Sequence, residues 1–112
     1  MSKPTSVPSA GDLEEIVRAA RGGDDTAFAT LVVRFQRLAV ALAVGWLGDM
    51  ELAREAAQEA FLDVHLHLAD LRDPATFVVW LRRIVAKHCD RTTRRHFGPA
   101  RAALADAETV SV

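Results

Sequence analysis

Four breaks cut this chain into segments of a single kind. They are Gly22-Gly23, Gly48-Asp49, Asp73-Pro74 and Gly98-Pro99. Between them the apolar residues recur three and four apart, the period of an α-helix with one buried face. The second segment carries Phe28, Leu31, Val32, Phe35, Leu38, Ala39, Leu42 and Trp46 at that spacing. The third carries Leu52, Ala53, Ala56, Ala57, Ala60, Phe61, Val64 and Leu68, and the fourth Phe77, Trp80, Leu81, Ile84, Val85 and His88. No stretch alternates as a strand would, and there is no internal repeat. The pattern predicts an all-α fold, a compact bundle of about four helices.

The breaks also predict boundaries. A short first helix runs over 12–21, with Asp12 as N-cap and Glu15 as its capping-box partner. Asp24 or Asp25 caps the second helix, which ends near Gly45 or Leu47. No residue from Leu38 to Trp46 is charged, so that half is expected to be buried on most sides. Asp49 caps a third helix over 49–70. Pro74 disfavours helix at Asp73 but suits a first turn, so a fourth helix starts near Pro74 and runs to about Arg95. Residues 12–96 form the folded domain. Residues 1–11, with Pro4 and Pro8, read as a flexible tail, and 97–112 as a tail or the start of a linker.

A chain of 112 residues is one domain with room for one core. The single cysteine, Cys89, forms no internal disulfide, which fits a reducing cytosol. The N-terminus lacks the apolar stretch of a signal peptide. The longest apolar run, Leu38 to Leu47, is too short to span a bilayer. The expectation is a soluble, cytoplasmic monomer.

The near-neutral total of −1 hides a division of charge. Helix three holds Asp49, Glu51, Glu55, Glu59, Asp63 and Asp70 against one base, Arg54. Helix four holds Arg82, Arg83, Lys87, Arg91, Arg94 and Arg95 against one acid, Asp90. Such separation suits two partners of opposite sign. On helix three, Glu51, Glu55, Gln58 and Glu59 lie opposite the apolar stripe, with Leu62 and Leu66 among them. This is either a solvated acidic face or a docking face for a basic partner. On helix four, Arg83, Lys87 and Arg94 share a stripe beside Arg91, with Val79 projecting near Arg83. That is either a solvated face or a ridge that tracks phosphates. His65 and His67 diverge on their helix, as do His88 and Cys89. No spacing suits a metal, a phosphate loop or a catalytic nucleophile, so neither metal nor cofactor is expected. Nothing in the sequence points to an enzyme.

Four motifs stand in order: Gly23-Asp24-Asp25-Thr26-Ala27-Phe28, Gly48-Asp49, Ala57-Gln58-Glu59-Ala60-Phe61-Leu62, and Phe77-Val78-Val79-Trp80-Leu81-Arg82-Arg83-Ile84. Together they resemble region 2 of the bacterial sigma-70 family, most closely its extracytoplasmic-function group. The resemblance covers residues 12–96. It implies that the Gln58-Glu59 helix docks on the β′ clamp helices of core RNA polymerase through Glu55, Gln58, Glu59, Leu62 and His65. It implies that the turn and fourth helix capture the non-template strand of the promoter −10 element. The turn residues are Leu71, Arg72, Asp73, Pro74 and Thr76, and the helix residues Val79, Arg83, Lys87 and Arg91. An anti-sigma protein is a further partner the resemblance suggests. The chain departs from the family at His65, where an aromatic is common, at Lys87, where Asn is common, and at Asp73-Pro74, where Gly and an acid are common. A helix-turn-helix for the −35 element does not follow, which suggests a fragment of a longer factor. The competing reading is a protein-interaction bundle that mimics region 2 and regulates polymerase without reading DNA.

Overall fold

Each break becomes a cap or a turn. The computed structural model describes residues 10–98. Four helices follow in order: α1 (Ala10–Arg21), α2 (Asp25–Leu47), α3 (Met50–His67) and α4 (Phe77–Phe97). Two 3-10 turns, Leu68–Asp70 and Pro74–Thr76, lie between α3 and α4. There is no strand among the described residues. The tails expected over 1–11 and 97–112 fall almost wholly outside those residues.

Local chemistry accounts for the ends. The N–H of Asp24 bonds the Ala19 carbonyl and that of Gly23 the Ala20 carbonyl. This pattern closes α1 and requires the φ of +105° that Gly23 adopts. Asp24, not Asp25, caps α2, its carboxylate accepting from the Ala27 N–H at 3.1 Å. Asp49 caps α3 by accepting from the Leu52 N–H at 2.9 Å. At the first helix the expectation fails. The helix already runs from Ala10, so Asp12 lies in its first turn and is not the N-cap. The carboxylate still sits at the positive end of the helix dipole.

The core is built from Val17 of α1, Leu31, Ala39 and Ala43 of α2, Ala53, Ala56, Ala60 and Val64 of α3, and Phe77, Leu81 and Val85 of α4. Phe77 is enclosed completely, 5.6 Å from the Phe35 ring and 6.1 Å from that of Trp80. The α3 and α4 faces match the sequence pattern closely, except that Leu52 and Trp80 are only half-buried. The uncharged half of α2 does not follow the expectation. Only Ala39, Ala43 and Leu47 are buried there, while Leu38, Val40, Leu42, Val44 and Trp46 are half-covered and Ala41 and Gly45 are exposed. By length and composition the whole of α2 could cross a membrane, which the ten-residue run did not suggest. In this fold α2 instead packs against α1, α3 and α4.

Candidate functional site

The exposed side of α2 is one wall of a groove. The other wall is α3, and the space between them is about 1300 Å³. Phe28, Val32, Val40, Val44, Phe61 and Leu62 make it largely apolar, and Arg37, Arg54, Gln58 and His65 supply polar edges. The His65 ring stands edge-on to Phe28, 4.7 Å between centroids. A histidine thus fills an aromatic packing position.

The residues expected to dock on a partner divide between two places. Gln58, Leu62 and His65 line the α2–α3 groove. Glu59 turns the other way, toward α4, where a second recess includes Leu62, Leu66, Lys87 and Arg91. Glu55 is exposed and lines neither. Leu62 and Leu66 stand 66% and 74% exposed, the kind of uncovered apolar pair that a partner can bury. The α2 wall was hidden from the sequence reading because an uncharged stretch looks the same whether a core or a groove takes it.

Between α3 and α4 lies a charged junction. The Asp63 carboxylate accepts from Lys87 Nζ at 2.6 Å, His88 Nε2 at 2.8 Å and His67 Nδ1 at 2.7 Å. Burial pushes this carboxyl up, but the hydrogen bonds from Lys87, His88 and His67 outweigh burial and hold it well below the usual carboxylate range. One turn earlier, Glu59 accepts from Arg95 at 3.2 Å and stands 3.6 Å from His88 Nδ1. His88 is 6% exposed; its Nε2 is bonded to Asp63, while its Nδ1 has no hydrogen-bond partner among the described residues. The sequence spacing separated His67 from His88, and only the crossing of α3 with α4 brings them together. No metal-binding cluster exists among the described residues. Cys89 is buried next door, and burial pushes its thiol up to about 11, as for a packed, unreactive sulfur.

The turn between α3 and α4 is built rigidly. Asp73 Oδ1 accepts from the Ala75 N–H at 3.0 Å, and Thr76 Oγ1 donates to the Asp73 carbonyl at 2.7 Å. Leu71 and Pro74 are buried, so among the expected contact residues these two anchor the turn from within. Arg72, Asp73 and Thr76 remain exposed. Arg21 braces the turn from α1, its Nη1 donating to the carbonyls of Leu71 and Arg72, each at 3.0 Å. The sequence reading missed Arg21, because a helix-ending arginine before two glycines carries no local sign of a partner fifty residues on. Along α4, Val79, Arg83, Lys87 and Arg91 are all exposed. Spaced four apart, they follow one side of the helix.

The chain matches the Sigma-70 region 2 family over residues 31–96, more than half its length. It belongs to that family. This region 2 is 34% identical over 71 residues to the RNA polymerase sigma-H factor of Pseudomonas aeruginosa, an overlap of 63% of this chain and 37% of the relative. It is 34% identical over 77 residues to the probable RNA polymerase sigma factor RfaY of Xanthomonas campestris pv. campestris, covering 69% of this chain and 19% of that protein. The chain thus spans roughly a third and a fifth of the lengths of these relatives. No solved structure matches it. The all-α bundle is the architecture that the family resemblance led one to expect.

Proposed function

We propose that this chain is the region 2 part of an RNA polymerase sigma factor, a binding module for promoter recognition in the cytoplasm. The observation that carries the reading is the separation, on a region 2 scaffold, of an apolar groove and uncovered leucines from a basic stripe. The α2–α3 groove with Gln58, Leu62 and His65 is the seat for the β′ clamp helices of core polymerase, and Glu55 and Glu59 extend the acidic side of that seat. The braced turn, through Arg72, Asp73 and Thr76, and the α4 residues Val79, Arg83, Lys87 and Arg91 take the non-template strand of the −10 element. Leu71 and Pro74 hold the turn in shape for it. Guanidinium and ammonium groups neutralise strand phosphates, and the turn offers a fixed edge for an extruded base. Binding free energy drives the opening, so the reading requires no nucleotide hydrolysis. An anti-sigma protein would compete for these surfaces.

The test is co-purification with a β′ clamp-helix fragment. Gln58→Ala combined with Leu62→Ala should lose binding without unfolding, since both side chains are exposed. Undiminished capture would remove the groove from the docking surface. Glu59→Lys is a poorer probe, because it would also set a cation against Arg95 and His88. The mimic reading requires that Arg83→Glu with Arg91→Glu leave promoter-dependent transcription intact.

A further inference from the structure

The cations along α4 are not equally available. Lys87 is bound to Asp63 and Arg95 to Glu59, both carboxylates on α3. Arg83 and Arg91 form no ion pair among the described residues. Two of the α4 cations are therefore already neutralised by the neighbouring helix.

The junction is arranged so that these cations can leave. If Lys87 swings away, Asp63 keeps its bonds from His67 and His88. The carboxylate would not be stranded as an unpaired buried charge, the outcome that normally makes breaking such a pair costly. Glu59, about a third exposed, would keep its contact with solvent. The Lys87 and Arg95 side chains are each about half exposed, so a phosphate can approach without the helices parting.

We propose that Glu59 and Asp63 act as internal counter-ions that hold Lys87 and Arg95 back from nucleic-acid phosphates, so that strand binding must first draw these cations off α3. Glu59 and Asp63 are positioning residues here and touch no DNA. The proposal rests on the reading of α4 as the strand-binding helix. A cationic partner that engages Glu59 would release Arg95 and so favour binding of the strand. Docking on α3 and strand capture on α4 are thereby linked by a shared set of charges.

The experiment measures binding of the 112-residue chain to a short fluorescein-labelled DNA single strand by anisotropy across a salt series. Each phosphate neutralised on a single strand adds about 0.7 to the salt slope, which is about fivefold in affinity at 0.1 M salt. Glu59→Gln and Asp63→Asn should each tighten binding by up to about that factor at 0.1 M salt, because the cation no longer has to be drawn off its carboxylate, while the salt slope stays that of the parent complex. The gain in Asp63→Asn should vanish when Lys87→Met is added. Glu51→Gln removes the same charge from an exposed acid of α3 outside the junction, and it should leave the affinity unchanged. Asp63→Asn is checked for folding by circular dichroism, and where it fails to fold Glu59→Gln carries the test. If Arg83→Glu with Arg91→Glu weakens binding but Glu59→Gln does not strengthen it beyond Glu51→Gln, the counter-ion proposal is overturned while α4 keeps its role. If Arg83→Glu with Arg91→Glu changes nothing, the strand-binding reading falls and this proposal with it.

Discussion

Replacing Arg21 by methionine keeps the length of the side chain and removes its charge. What it takes from the structure is well defined: two charge-assisted hydrogen bonds, each 3.0 Å, to the carbonyls of Leu71 and Arg72. Such bonds contribute about 1.5–3 kcal/mol each when shielded. Arg72 is exposed and water can replace its bond, whereas Leu71 is buried and offers water little room. A discounted total is about 2 kcal/mol, which for a domain of this size lowers the melting temperature by about 10 °C. The loss should be local first. Amide hydrogen exchange at Leu71, Ala75 and Thr76 should accelerate more than exchange at Val64 or Leu81, because the brace holds the turn and not the core. Arg21→Lys should recover only part of the effect, since both bonds come from Nη1 at the far end of the guanidinium and the shorter lysine side chain does not carry its ammonium that far. Thermal melts and exchange measured by NMR on the same samples decide the matter. A melting temperature within about 2 °C of the parent, with unchanged exchange in the turn, would refute the bracing argument.

Two further outcomes follow from the packing and the junction. Asp63 has its folded pKa depressed below its ordinary value of 3.8, so its contribution to stability is complete above that value and is lost as pH falls below it. The stability difference between the parent and Asp63→Asn, from denaturant titrations, should therefore hold at pH 5 and shrink below about 4; a difference that persists through the acid range would contradict the assignment. Phe77→Ala should cost about 3–5 kcal/mol, because the ring is wholly enclosed. Trp80→Ala should cost clearly less, because that ring is half-buried, and equal costs in denaturant unfolding would mean that Trp80 is a core residue after all.

The fold was legible where one residue type has one use. Glycine beside aspartate marks a helix end and a new cap, and Gly48-Asp49 behaves so in the structure. Alanines at helical spacing in α3 mark a buried face, and they are buried. Asp12 misled because an aspartate stabilises a first turn as well as a cap, and the residue type does not separate the two. The uncharged half of α2 misled for a similar reason, since apolar side chains line both cores and grooves. Surfaces were legible as signs of charge, acidic α3 and basic α4. Their connections were not. The pairs Asp63–Lys87, Glu59–Arg95 and Arg21–Leu71 each join different elements, and nothing in linear spacing marks two residues as meeting across a helix crossing.

The alanines behind the groove carry a consequence for how this surface can change. Ala39 and Ala43 on α2, with Ala53, Ala56 and Ala60 on α3, are fully enclosed, and small side chains let helices approach closely. They are the spine of an open book whose pages are the two walls of the groove. A bulkier residue at any of these enclosed positions would have to displace the packing around it, at a strain of about 1–3 kcal/mol, and a shift of α2 or α3 would carry with it the cleft walls that hold Val40, Val44 and Leu62. Recognition could therefore drift through substitutions that no visitor ever contacts. A survey of variants confined to the exposed lining would overlook these positions.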